Sequence, residues 1–93
     1  MTDRPAWAPR DADVAIDALG LRCPLPVLKL EAALRRAPPG HRIAVRTDDP
    51  VATLDVPHAA KSGGHACERT GDAPCVFVVT RGPDDSAARP RGV

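Results

Sequence analysis

Val14, Ile16 and Ala18 alternate with polar or small neighbours, with Asp17 on the opposite face, and this two-residue period predicts a short strand. From Pro24 to Ala37 the period changes. Val27, Leu30, Leu34 and Ala37 recur at helical spacing, while Lys29, Arg35 and Arg36 stay off that stripe. Arg35-Arg36 sit where positive charge suits the end of a helix, and Pro38-Pro39-Gly40 stops it. His41 to Thr47 alternates again through Ile43 and Val45, predicting a second strand.

Asp48-Asp49-Pro50 reads as an N-cap followed by proline at the first helical position, opening a second helix from Pro50 to Lys61. Pro57 lies inside it and should kink or split it, and Ser62-Gly63-Gly64 closes it. His65 to Arg69 and Cys75 to Arg81 read as two strands joined by the loop Thr70-Gly71-Asp72-Ala73-Pro74. The predicted order is β-α-β-α-β-β, without an internal repeat. Residues 13–82 form the expected domain. Residues 1–12 and 83–93 are rich in proline, alanine and charge, lack periodicity and are expected to be mobile tails. Trp7 in the first tail either docks on the domain or a partner, or is a lone exposed side chain, the plainer reading.

The chemistry concentrates at Cys23-Pro24-Leu25-Pro26. Proline is favoured at the first helical position, so Pro24 nominates Cys23 as the N-cap, and Pro26 removes a second donor from the same turn. The N–H groups of Leu25 and Val27 are then left near the sulfur, at the positive end of the helix dipole. A free cysteine titrates near ~8.5 and is only about 3% thiolate at pH 7. A helix end, with Arg22 beside it, is expected to lower that value and give a moderately activated nucleophile. The alternative is a buried cysteine filling a hole in the core. A loop carrying Gly20 and two prolines favours the surface.

Length, composition and charge narrow the setting. Ninety-three residues make one domain, and its small core suits a single sheet with helices on one face. A net charge of +1 and only two aromatics, Trp7 and Phe77, argue against a sheet that stacks RNA bases. No apolar run approaches ~18 residues and no signal peptide is seen, so the chain is expected in the cytoplasm. There its three cysteines, Cys23, Cys67 and Cys75, should be reduced. Cys67 and Cys75 fall near the predicted hairpin, where they could be cross-strand neighbours with a structural role. His65 has no Cys-x-x-Cys or His-x-x-x-His partner pattern, so no metal is expected and His65 reads as structural.

The segment from about Val14 to Arg81 resembles the TusA/SirA-like sulfur-carrier family. Three elements carry the likeness: Asp17-Ala18-Leu19-Gly20-Leu21-Arg22-Cys23-Pro24-Leu25-Pro26-Val27; Asp48-Asp49-Pro50 followed by Asp55-Val56-Pro57; and Gly64-His65. The resemblance implies a two-layer α/β sandwich, a four-stranded mixed sheet with two helices on one face. It also implies a sulfurtransferase that acts as a stoichiometric relay, taking sulfur as a persulfide on Cys23 and passing it to an acceptor protein. The implied donor is a cysteine desulfurase or a rhodanese-like protein, and thiol exchange needs no cofactor. The helix-end N–H groups would hold the persulfide as an anion.

Gly20, Arg22, Pro24, Leu25, Pro26, Asp48 and Asp49 are the supporting residues of the implied site. Gly20 would let a partner's backbone approach closely, and Arg22 would attract the anionic persulfide or simply be solvated. Asp48 and Asp49 would cap the second helix, or orient the Cys23 loop or meet a basic partner. Many family members carry an acidic residue where this chain has Leu25, which offers partners an apolar contact instead. The competing reading is a non-catalytic interaction or regulatory module in which Cys23 is structural.

Overall fold

The computed structural model describes residues 7–70 and 75–83. Six elements follow in the expected order: β1 (Val14–Asp17), α1 (Leu25–Arg36), β2 (Arg42–Thr47), α2 (Ala52–Ser62), β3 (Ala66–Arg69) and β4 (Cys75–Thr80). The strands form one mixed sheet in the order β1-β2-β4-β3. β1 runs parallel to β2, with Asp17 opposite Arg46, and the other two pairings are antiparallel. The predicted hairpin loop falls mostly on residues outside those described.

Both helices cover the same face. Ile43 and Val45 of β2 and Phe77 and Val79 of β4 point into one core with Leu30 and Leu34 of α1 and Val56 and Ala60 of α2. This is the strand period of two meeting the helical stripe. α1 buries Pro26, Leu30 and Leu34, four residues apart. It stops at Ala37, whose ψ of 137° is extended, because Pro38 excludes the helical region from the residue before it. α2 runs unbroken through Pro57. The proline removes one helical hydrogen bond, and Val56 and Ala60, both buried on the sheet, hold the helix together across the gap.

The other face of the sheet is not left bare. Ala8 and Ala12 pack on Ala44, with Trp7 and Ala15 beside them. The Arg46 guanidinium lies 4.8 Å from the centre of the Trp7 ring and 2.9 Å from Asp17. Trp7 is therefore docked and half-buried rather than exposed, and the segment from Trp7 to Ala12 packs on the sheet. Small side chains at 8, 12 and 44 let the backbone approach that face. Residues 1–6 and 84–93 lie outside those described.

Cys67 and Cys75 are not opposite each other. Cys67 of β3 faces Val79 and Cys75 of β4 faces Thr47. Cys75 is buried and accepts a hydrogen bond from the Arg69 guanidinium at 2.9 Å. Burial pushes the half-buried Cys67 thiol up from its ordinary value, and neighbouring Glu68 adds to the effect. His65 is a strand-end brace, its Nδ1 accepting the Gly82 N–H at 2.8 Å. A side chain at Gly82 would run into the Gly64 carbonyl.

Candidate functional site

Parallel pairing of β1 and β2 sends both of their C-terminal ends to the same edge of the sheet. The loop after β1 and the loop after β2 therefore meet there. Crevices at the carboxyl ends of parallel strands are the usual ligand sites of open α/β sheets. At this edge the first loop carries Gly20 to Pro24 and the second carries Asp48 to Val51.

The first loop turns sharply. Leu21 N–H bonds Ala18 carbonyl at 3.1 Å, and Gly20 takes a φ of 82°, which only glycine adopts freely. A side chain at Gly20 would meet open space, so the backbone conformation rather than crowding requires glycine here. Two aspartates then tie this loop to the second. Asp48 Oδ1 accepts the Gly20 N–H at 3.0 Å, and Asp49 Oδ2 accepts the Cys23 N–H at 2.7 Å. Asp49 is only 6% exposed, and its other oxygen accepts the Val51 N–H at 3.2 Å.

Two expectations about the helix starts shift. α1 begins at Leu25 with Pro24 as its N-cap, so Cys23 stands one residue before the cap, and the Cys23–Pro24 peptide is cis. The regular turns of α2 begin at Ala52, with Val51 as N-cap, two residues after the predicted start. Asp49 nevertheless caps the approach through Val51, and its carbonyl accepts the Thr53 N–H at 3.1 Å. Capping and loop orientation were read as alternatives, and Asp49 does both.

The sulfur's surroundings also differ from the helix-end picture. Leu25 N–H does not face Cys23 but donates to the Arg22 carbonyl at 2.9 Å. The Cys23 thiol instead donates to Asp55 Oδ2 of α2 at 3.0 Å. That carboxylate, first by the hydrogen bond and then with desolvation and its own charge and that of Asp49, raises the thiol above its ordinary value. A helix end is worth about half an elementary charge, whereas Asp55 brings a full one in contact with the sulfur. The surroundings therefore push Cys23 toward the thiol, where the helix-end picture favoured thiolate.

Cys23 is exposed, so the hole-filling alternative does not describe it. Arg22 and Pro24 are exposed beside it, and Pro26 is buried in the first turn of α1. Exposed apolar side chains are found on both loops and both helix starts. Leu19 from the loop, Leu25 (46% exposed) and Leu28 from α1, and Val51 and Leu54 (74% exposed) from the start of α2 all reach solvent at this edge. Asp55 was missed as a site residue. It lies 32 positions from Cys23, and its only sequence signal was its place in the Asp55-Val56-Pro57 stretch.

The family model of sulfurtransferase TusA matches residues 14–81. A SirA-like protein from Desulfitobacterium hafniense has a similar structure, with a TM-score of 0.64 at 26% sequence identity. The match covers 76% of this chain and 99% of that one.

Proposed function

This chain belongs to the sulfurtransferase TusA family, and from that premise we propose that it is a sulfur carrier, accepting sulfane sulfur as a persulfide on Cys23 and passing it to an acceptor protein. The observation that carries the reading is an exposed Cys23 at the carboxyl edge of the sheet, its backbone N–H held by Asp49 and its thiol by Asp55. In the loading step the Cys23 sulfur attacks the outer sulfur of a donor persulfide. The donor's S–S bond breaks, a new S–S bond forms on Cys23, and the donor leaves as a thiol. Unloading repeats the exchange toward the acceptor, without net oxidation and without a cofactor.

Such a relay needs protein partners at both steps: a persulfide donor, either a cysteine desulfurase or a rhodanese-like protein, and a protein thiol acceptor. Leu25, Leu28, Val51 and Leu54, exposed on the two helices that flank the Cys23 loop and near their starts, offer these partners apolar contacts, and Arg22 offers them a charge. No helix among the described residues is long and apolar enough to cross a membrane. Because the relay runs on reduced thiols, its proposed compartment is the cytoplasm.

Incubation with a cysteine desulfurase and cysteine is expected to add about 32 Da, one sulfur, at Cys23, read by intact mass and peptide mapping. Cys23→Ser should take up none. Stoichiometric uptake by Cys23→Ser would overturn the reading in favour of an interaction module with a structural Cys23.

A further inference from the structure

We propose that Asp55 is the proton acceptor of the sulfur-transfer step, favouring delivery of the sulfur over its storage. The inference rests on the carrier reading. Its geometric basis is the 3.0 Å hydrogen bond from Cys23 Sγ to Asp55 Oδ2, made across the gap between the loop after β1 and the first turns of α2. Asp49 grips the same cysteine through its backbone N–H, so the sulfur is presented to Asp55 rather than left to swing.

The step balances as follows. The Cys23 thiol gives its proton to the Asp55 carboxylate as the sulfur attacks the outer sulfur of R–S–SH. One S–S bond forms on Cys23 while the donor's S–S bond breaks. The departing R–S⁻ takes the proton from Asp55, leaving Cys23–S–SH, R–SH and the carboxylate. Unloading runs the same path in reverse, with Asp55 returning a proton to Cys23 as it becomes the leaving group. That matters because a thiol of raised basicity is a poor leaving group unless it is protonated as it departs.

The charges around the sulfur set the direction. Asp55 of α2 and Asp49 of the loop after β2 both act on it electrostatically. Asp48 lies on the same loop, bonded to Gly20, and Arg22 is the one cation adjoining Cys23 in its own loop. A persulfide is more acidic than a thiol, so the loaded form brings an anion to these carboxylates, whereas the unloaded form donates a hydrogen bond to one of them. The unloaded state is favoured, and the sulfur is passed on.

The experiment uses the full chain in three arms. Iodoacetamide labelling of Cys23, mapped by mass spectrometry across neutral and alkaline pH, should give the wild-type chain a midpoint above that of glutathione measured alongside. A midpoint below it overturns the proposal without any variant. Asp55→Asn, with its fold checked by circular dichroism, should lower the midpoint and speed labelling at neutral pH several-fold. In the third arm, sulfur supplied as glutathione persulfide is allowed to equilibrate between the protein and excess glutathione. Asp55→Asn should retain several-fold more sulfur on Cys23 than the wild type. Equal retention, or an unmoved midpoint, removes the role of Asp55 while leaving the carrier intact. If the wild type takes up no sulfur from either glutathione persulfide or a desulfurase, the carrier reading falls, and the role of Asp55 in transfer falls with it.

Discussion

Asp49 joins two loops with one side chain, one oxygen on the Cys23 N–H and the other on the Val51 N–H. At 6% exposure it has little water to replace those bonds. The two bonds are part-buried and each is worth about 0.5–1.5 kcal/mol net, so Asp49→Ala should destabilise the protein by roughly 1–3 kcal/mol in urea unfolding. Amide exchange at Cys23 and Val51 should accelerate beyond the change in global stability. Unchanged exchange at Cys23 would mean that the loop is held by something else. Asp49 could be named from the sequence because capping is local, and Asp-Pro at a helix start is read within three residues. Asp55 could not, because its partner lies 32 positions away in the loop after β1 and only the tertiary fold brings the two together.

At the scale of elements, the stripes of apolar residues located both helices and all four strands to within a few residues. The stripe also identifies which side chains bear the stability. Leu30 is fully buried between α1 and the sheet. Leu→Ala at such a site costs about 2–5 kcal/mol, a large part of the total of about 5–15 kcal/mol typical of a domain. Leu30→Ala should therefore shift the chemical-denaturation midpoint strongly, whereas Leu54→Ala, on an exposed side chain, should shift it little. Comparable losses would show that the helix stripe had been misread. The helix starts were less legible. Sequence places proline at the first helical position by preference, but Pro24 serves as the cap of α1 and Pro50 precedes the cap of α2. Pro57 was expected to kink or split α2; it does not split the helix, whose buried neighbours Val56 and Ala60 sit on either side of the missing bond.

For the molecule as a whole, the sheet has two different coverings. Helices bury one face, and the segment from Trp7 to Ala12 lies along the other, where Arg46 is held between the Trp7 ring and Asp17. The Trp7–Arg46 contact belongs to the half-exposed class worth about 0.5–1 kcal/mol. Trp7→Ala should lower stability by at least that amount in thermal unfolding followed by circular dichroism. Labelling of Cys23 at neutral pH should stay the same, because Trp7 and the Cys23–Asp55 pair belong to different parts of the fold. A changed labelling rate would show that the covering of the second face reaches the thiol.

Local chemistry wrote much of this protein into its chain. Period-two and helical stripes, proline and glycine punctuation, and the Cys23 motif each act over a few residues, and they carried the order of elements and the family. Tertiary packing settled what depends on distant partners. It put Trp7 on the sheet, set Cys67 opposite Val79 and Cys75 opposite Thr47 instead of each other, and placed Asp55 against the sulfur. The last of these reversed the expected direction of the Cys23 pKa shift, because a contacting carboxylate outweighs the partial charge of a helix end whose nearest N–H is bonded elsewhere.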